Sequence, residues 1–416
     1  MTHDFPKIRY LQITQIPFVR LDEGVLTDSA WARNLKHLAA STCPIRVVAP
    51  EVPQRETLRK KVVNPTIIYP DSGITYVGIP PLSSSFDYFT LAKIRGILHQ
   101  EVMQADFIES SNFSPPYLGL LYAHKLAVSH RKKTSFVIHE DLYDELYWEW
   151  NSPKLNPFEK WLKSKILAHM KNRVLAAASS ASLTFLYSPS ASSTLRFDNP
   201  NCVVLRNVTH QAEDVISQED FKRKCHDIVS GIPLQIITTS SHHPIKGLDF
   251  LIRAVAQLKK QGIWVTVKLY GEGPESAELK TLAAYLNIAD RIVFPGMLPH
   301  GKEVFKMIGK AHISVMPHRS DNFEGAFYDA MAGATPVVAF QNPASAEILR
   351  DNVDSVLVPL DNVIALSLAI EQLHHNRSRL VELSTAARER ALAETQRIWQ
   401  EYRAERIKEL FVRGTL

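Results

Sequence analysis

HISVMPHRSDNFEGAFYDAMAGATPVVAF, residues 312–340, compresses a whole supersecondary unit into one stretch. A short apolar run, Ile313 to Met316, reads as a buried strand. His318 to Phe323 is polar and loop-like. From Gly325 small and apolar residues follow at helical spacing, with Gly333 as the expected C-terminal glycine. Thr335-Pro336 then turns into a second β-branched run, Val337 to Phe340. Strand, loop, helix and strand in this order define a parallel crossover. Asp321 falls in the loop and Asp329 about one turn into the helix. A helix start offers unpaired N–H groups and partial positive charge, which suit a phosphate. Carboxylates accept hydrogen bonds from vicinal hydroxyls. By composition alone, Asp321 equally suits a helix cap and Asp329 a solvated face.

The same alternation runs through most of the chain. "IRYLQITQI" (Ile8 to Ile16), "IRVVAP", "DFIESS", "SFVIHE" and "SLTFLYS" read as strands, and "DSAWARNLKHLAAS" as a helix with Trp31, Leu35 and Leu38 on one face. It fades in the polar stretch after Asn207 and restarts at "LQIITTS". "LDFLIRAVAQLKK", "WVTVKLYG", "ELKTLAAYLNI", "RIVFPG" and "EVFKMIGKA" continue it. The fold class is α/β, with two Rossmann-like doubly wound domains facing across a cleft. The expected division is 1–208 as an acceptor domain, 209–390 as a donor domain, and 391–416 as a charged helix returning to the first domain. Trp399, Tyr402, Ile407 and Leu410 are its apolar positions.

The 416 residues include 45% hydrophobic and 22% charged side chains, as in globular chains, and carry a net charge of +5. That mild excess tolerates anionic partners but gives no nucleic-acid signature. Three cysteines, Cys43, Cys202 and Cys225, lack metal-ligand spacing, and their odd number fits a reducing cytoplasm. No secretory leader and no apolar run of about 18 residues is legible. A dinucleotide oxidoreductase would need a G-x-G-x-x-G after its first strand, and "QITQIPFVRLDEG" has none.

The stretch "DNFEGAFYDAMAGATPVVAF" resembles the signature of the retaining glycosyltransferases of family 4, in the glycogen synthase and sucrose synthase-like superfamily, which have the GT-B fold. In that signature a Glu, seven residues and a second Glu precede "AMA-x-G-x-PVVA". Asp321 and Asp329 stand at the two glutamate positions, and Glu324 is an additional acid. "SSHHPIKGLDFLIRAV" resembles the segment that carries an Arg and a Lys to the donor diphosphate. Lys246 matches the lysine, Ser241 stands where the arginine is expected, and His242 or His243 is available to replace it. "VKLYGEGP" through "RIVFPG" resembles the family's G-x-GP turn, helix and strand. "SFVIHEDLYDE" resembles the strand whose terminal His, here His139, faces the donor sugar. "VRLDEGVLTDS" occupies the place of a glycine-rich loop, with Gly24 as its one glycine.

The resemblance implies a metal-independent, retaining transferase with no cofactor, taking a nucleotide sugar, UDP-glucose or a similar UDP-sugar first among them. It implies catalytic roles for His139, Lys246 and Asp321. Donor contacts follow at Gly24, Ser241, His242, Asn322, Phe323, Glu324, Gly325 and Asp329. A saccharide or lipid-linked saccharide would be the acceptor, in polysaccharide or glycoconjugate synthesis. An inactive nucleotide-binding relative and a nucleotide-sugar epimerase remain open alternatives. "EDLYDELYWEWNSPKLNPFEKWLKSK" contributes Tyr143, Tyr147, Trp148, Trp150 and Trp161. "FEKWLKSKILAHMKNRVLAAA" sets Lys160, Lys163, Lys165, Lys171 and Arg173 beside apolar residues, with "HRKK" (His130 to Lys133) as further charge. This fits either a solvated helix face or one lying on the anionic inner face of a membrane.

Overall fold

The structure is a computed structural model and describes residues 5–53, 65–82, 88–114, 116–139, 156–187, 198–298, 301–319 and 324–412. The chain divides into two compact units. One comprises Met1–Arg206 with Arg397–Leu416, and the other Asn207–Gln396.

The first unit is built on a parallel sheet. Its strands are β1 (Tyr10–Ile13), β4 (Ile45–Pro50), β6 (Ile74–Ile79), β7 (Phe107–Ser111), β8 (Lys133–Ile138), β9 (Leu183–Leu186) and β10 (Cys202–Val204), in the order β10-β9-β8-β7-β1-β4-β6. Helices α1 (Ser29–Ser41), α2 (Tyr88–Gln104), α3 (Leu121–Ser129) and α4 (Pro157–Ser180) belong to the same unit. Buried strands with apolar residues on both faces are what a parallel sheet covered by helices demands. Asp28 caps α1, accepting from the Trp31 amide at 2.9 Å. Beside this sheet, β2 (Val19–Leu21), β3 (Gly24–Asp28) and β5 (Pro65–Ile68) form a small antiparallel sheet that the sequence pattern did not announce. The segment expected as a glycine-rich loop is therefore the β2–β3 hairpin. Gly24 is needed there because a Cβ would stand 2.4 Å from the Ile68 carbonyl oxygen.

A buried ion pair joins the end of the chain to this sheet. Glu109, central in β7, accepts from Arg403 of the last helix (Gln396–Val412) at 2.5 Å. Gln12 Nε2 donates to the same carboxylate at 2.6 Å and Ser135 Oγ at 3.0 Å. The Arg403 guanidinium also lies 5.3 Å from the Phe185 ring centre. Of the apolar positions expected on the last helix, Ile407 is fully buried, whereas Tyr402 is exposed. The buried charge at Arg403 was not expected.

The second unit has a parallel sheet of β11 (Leu234–Thr239), β12 (Val265–Tyr270), β13 (Ile292–Gly296), β14 (Ile313–Met316), β15 (Val337–Phe340) and β16 (Ser355–Val358), ordered β13-β12-β11-β14-β15-β16. Its helices are α5 (Gln218–Val229), α6 (Leu248–Lys260), α7 (Ser276–Tyr285), α8 (Lys302–Gly309), α9 (Glu324–Ala332), α10 (Pro343–Ile348), α11 (Val363–His375) and α12 (Arg377–Ala393). The core joins Leu251, Ile252 and Val255 of α6 to Val265, Val267 and Val315 of the sheet. The polar stretch after Asn207 folds as the amphipathic α5, with Phe221, Lys224 and Ile228 inward.

The end of α9 corrects one expectation. Ala334, not Gly333, adopts the left-handed backbone, at φ 49°. Gly333 is glycine because α8 lies against it: a Cβ would come within 2.6 Å of Ile308 Cγ2 and 2.9 Å of the Gly309 nitrogen.

Arg403→Met strands Glu109 in the sheet without its cation and is expected to destabilise the first unit by roughly 3–5 kcal/mol. Adding Glu109→Gln to it should recover most of that loss. Denaturant midpoints of the two variants check this; equal losses in both would show that the pair itself contributes little.

Candidate functional site

In an open parallel sheet, ligands bind at the carboxyl ends of the strands, where the strand order reverses. In the second unit that point lies between β11 and β14, because β11 connects outward to β12 on one side while the chain later returns to its other side. The loops leaving these two strands are tied together. The Arg319 amide donates to the Ile245 carbonyl at 2.8 Å. Gly247 takes φ 59°, and a Cβ on it would stand 2.2 Å from the Pro317 carbonyl oxygen.

The β11 loop carries Ser241, His242 and Lys246. It is held on its far side by the turn after β12. The His242 amide donates to the Glu272 carbonyl at 3.1 Å, and the Glu275 amide returns a bond to the His242 carbonyl at 3.0 Å. Both turn glycines are explained by this approach. A Cβ on Gly271 would lie 1.9 Å from the Ser240 oxygen, and one on Gly273 would lie 2.5 Å from the His242 oxygen. The G-x-G pair thus fixes the loop that displays His242.

Three basic side chains are buried at this edge: Lys246 at 2% exposure, His242 at 1% and His318 at 3%. His242 Nδ1 is within 2.8 Å of the Ser276 hydroxyl, while its Nε2 has no partner among the described residues. His318 follows β14, stacks on Phe327 of α9 at 6.1 Å between centroids, and likewise leaves Nε2 without a partner. Burial, and then the positive charge of Lys246, hold the His318 pKa well below the usual histidine value. Burial also lowers that of His242, with Glu272 opposing and Lys280 reinforcing the effect. Both rings are therefore neutral at pH 7. From sequence, His318 is only the first residue of a polar loop. Its one signal was its place just past a strand at the switch point.

Helix α9 starts at the same edge. Gly325 is buried, with the Asn207 carbonyl 3.5 Å from where its Cβ would be. Asp329 is 7% exposed and accepts a hydrogen bond from the Thr209 hydroxyl. It is thus a buried acceptor rather than a solvated carboxylate. Ser241 is half-buried, and its carbonyl accepts from the His243 amide at 3.0 Å. Glu324 opens α9, with its side chain outside the described set, and Asp321, Asn322 and Phe323 lie outside the described residues. The structure thus brings Ser241, His242 and Lys246 onto one loop, with Gly325 and Asp329 on α9.

The remaining predicted residues belong to the first unit. His139 follows β8, donates its amide to Asn112 Oδ1 at 3.1 Å, and stacks on Tyr187 at 5.1 Å. Desolvation by the protein around the ring, and then the Arg403 charge, lower its pKa to about 4. Gly24 lies in the β2–β3 hairpin. Of the aromatic cluster, Tyr143, Tyr147, Trp148 and Trp150 lie outside the described residues.

A concavity of about 820 Å³ in the second unit is lined by α5 and α8 residues with Gln235 and His312. These last two stand at the amino ends of β11 and β14, the wrong end of the sheet for this fold's ligands. Its buried Lys224 is already engaged, donating to the Gly333 carbonyl at 2.8 Å and to Thr335 Oγ1 at 2.7 Å.

Residues 233–376 match the family model described as "Glycosyl transferases group 1". This segment is similar to group 1 glycosyltransferase domains. The chain is 30% identical over 180 residues to the putative colanic acid biosynthesis glycosyltransferase WcaL of Salmonella typhimurium, which is 41% of this chain and 44% of that protein. It is 29% identical over 188 residues to the amylovoran biosynthesis glycosyltransferase AmsK of Erwinia amylovora, 44% of this chain and 45% of AmsK. The chain therefore spans less than half the length of these curated relatives. Solved structures match over nearly the whole length. Sucrose-phosphate synthase of Thermosynechococcus elongatus gives a TM-score of 0.71 at 15% identity, covering 97% of this chain and 99% of that one. Anabaena Alr3699/HepE, solved in complex with UDP, gives 0.66 at 16%, covering 95% and 98%. Such identities establish the fold, which is GT-B. The matched segment contains the switch-point residues from Ser241 to Asp329.

The buried histidine gives a pH signature. Below about pH 6.5 the unfolded chain takes up a proton that native His318 refuses, so stability is full above that pH and falls as acid is added. Lys246→Met raises the His318 pKa and should make the fall of stability between pH 6.5 and 4.5 shallower. Denaturation midpoints across this range test it; parallel curves for variant and parent would mean that the two side chains do not sense each other.

Proposed function

We propose that the chain is a retaining, metal-independent glycosyltransferase that moves a sugar from a nucleotide-diphosphate donor to a saccharide or lipid-linked saccharide. The observation that carries this reading is the buried Lys246 at the β11/β14 switch point, on the edge where α9 begins. A lysine and a helix N-terminus supply fixed positive potential where negative charge grows on a departing diphosphate. No metal is then required for that task. In this reading Asp329 accepts from ribose hydroxyls, while Asp321 or Glu324 and His139 keep the sugar-contact roles that the resemblance implies. In retention without a covalent intermediate, the acceptor attacks the face from which the diphosphate leaves. The protein contributes orientation and charge stabilisation. UDP is the favoured base because HepE, of the same fold, is solved with UDP and with UDP-glucose. The names of WcaL and AmsK favour polysaccharide synthesis as the setting.

The acceptor reading draws on α4. Its first half exposes Phe158 (67%) and Trp161 (55%), stacked at 6.0 Å, together with Leu162 and Ile166. These apolar positions recur at helical spacing among Lys160, Lys163 and Lys165. Its second half instead packs Met170, Val174 and Ala178 into the core. A basic helix with an exposed aromatic stripe fits the headgroup region of an anionic bilayer, where a lipid-linked acceptor resides. Among the described residues no helix is long and apolar enough to cross a membrane.

A thermal-shift panel of UDP, GDP and ADP with their sugar conjugates should single out one base. The expected stabilisation is about 2.7 kcal/mol at a hundredfold excess over Kd, and it should vanish in Asp329→Ala and Lys246→Ala. NMR of the product should show the donor's anomeric configuration; an inverted product would sink the retaining mechanism. Stabilisation without turnover against any acceptor would favour an inactive nucleotide-binding relative.

Vesicle sedimentation tests the surface. Phosphatidylglycerol vesicles should pull the protein down, phosphatidylcholine vesicles should not, and Phe158→Ser with Trp161→Ser should abolish binding. Equal binding to both vesicle types, or to neither, would leave α4 as an ordinary solvated helix.

A further inference from the structure

Ser241 stands where the resembling enzymes place an arginine, and the site holds two buried imidazoles that the signature does not prescribe. We propose that His242 and His318 replace that fixed charge, each taking a proton from solvent as a donor diphosphate enters beside Lys246. The inference rests on the donor site proposed above and adds a proton to its binding reaction.

The geometry supports it in three ways. Both rings lie at the carboxyl edge of adjacent strands, on loops joined by the Arg319 to Ile245 hydrogen bond of 2.8 Å. Both are more than nine-tenths buried, and each keeps Nε2 without a partner among the described residues. A buried polar atom without a partner costs free energy unless a ligand completes it. Finally, the groups facing them explain the empty-site state. His242 meets Ser276 and Lys280 of α7 and Glu272 of the β12 turn. His318 meets Phe327 of α9 and the Lys246 charge from the β11 loop, with Arg319 next to it in sequence.

With the site empty, desolvation and the neighbouring lysines keep the rings neutral. An incoming diphosphate reverses the local charge and favours the imidazolium, a nearby opposite charge shifting a pKa upward by about 1–3 units. Protonation makes both ring nitrogens donors. His242 can then keep Ser276 on Nδ1 and offer Nε2–H to a phosphate oxygen. One proton leaves solvent for each ring that titrates, no bond in the nucleotide breaks, and the two added charges offset those of the diphosphate. His318 thereby joins the donor-binding residues, and His242 gains a defined protonation change.

Calorimetry of UDP-glucose binding tests this, with GDP-mannose in parallel. Neither nucleotide sugar has a phosphate that titrates near neutrality, so exchanged protons come from the protein. Titrations at pH 7 in buffers of different ionisation enthalpy should give a net uptake of roughly half a proton or more, and Kd should tighten as pH falls, up to about tenfold per unit for each full proton. His318→Gln should lower the count and flatten the pH dependence. His242→Gln provides the parallel measurement, and the uptake in the unmodified chain stands whether or not either variant folds. Binding with no proton exchange, or with a count unchanged in the variants, overturns the inference and leaves the donor site intact. If neither nucleotide sugar binds, the donor site falls and this inference with it.

Discussion

Everything in the candidate site depends on the pairing of β14 with β11. A parallel sheet cannot join neighbouring strands by a tight turn, so each strand exits into a loop and returns through a helix. β11 pairs with β12 on one side and with β14 on the other, at Ile236 to Ile313 and Ile237 to Ser314. The Thr238 hydroxyl extends this pairing by donating to the Val315 carbonyl at 2.6 Å. Two loops therefore leave adjacent strands toward opposite faces of the sheet. The backbone contacts among Gly247, Pro317, Ile245 and Arg319 set how closely they can diverge. Lys246 and His318 are displayed by that geometry, and Gly271 and Gly273 keep the β11 loop from relaxing away.

Two buried lysines in the same unit show why position at the sheet matters more than residue type. Lys224 donates to two oxygens near the end of α9, one of them the Gly333 carbonyl. A cation there meets the negative end of the helix and closes a structural contact. Burial drives its pKa well down all the same. Lys246 lies at the opposite, carboxyl edge of the sheet, where α9 begins and the helix end is positive. That placement repels cations and favours an anionic ligand. The sequence makes both residues simple lysines near helices, and only the direction of the chain through the sheet separates clamp from site.

Much of the architecture was legible because parallel strands are buried on both faces and read as apolar runs. "IRVVAP" and "LQIITT" coincide with β4 and β11, and "LDFLIRAVAQLKK" with α6. The failures have physical causes. The strand expected over Ile8 to Ile16 is ordered as strand only over Tyr10–Ile13, because pairing partners and not composition set its ends. The β2–β3 hairpin was hidden because its Asp22-Glu23 turn and single glycine look like a ligand loop. Arg403 was hidden in a charged helix, since its burial is decided by Glu109, remote in sequence. Gly333 was assigned to helix capping, whereas contact with α8 demands it. For the candidate site, motif spacing singles out Lys246 and Asp329, but their burial is not legible along the chain. His318 was missed because nothing along the chain marks β14 as the neighbour of β11.

Under the proposed donor binding, buried histidine in the place of arginine changes the energetics of the site before a donor arrives. A guanidinium cannot shed its proton in a protein. Placed beside Lys246 before any donor arrives, it would add a second permanent charge to a desolvated edge of the sheet, and like charges there are costly without an anion. Proteins meet that cost with a nearby carboxylate, as Glu109 does for Arg403, but a carboxylate would then compete with the diphosphate. Histidine avoids the conflict. It stays neutral without an anion and can become cationic when an anion makes the charge favourable. The Nε2 atoms of His242 and His318, without a partner among the described residues, are the residual cost of that arrangement, smaller than that of an unpaired guanidinium. Under the proposed donor binding, the same two histidines reconcile a stable unliganded unit with a highly charged ligand.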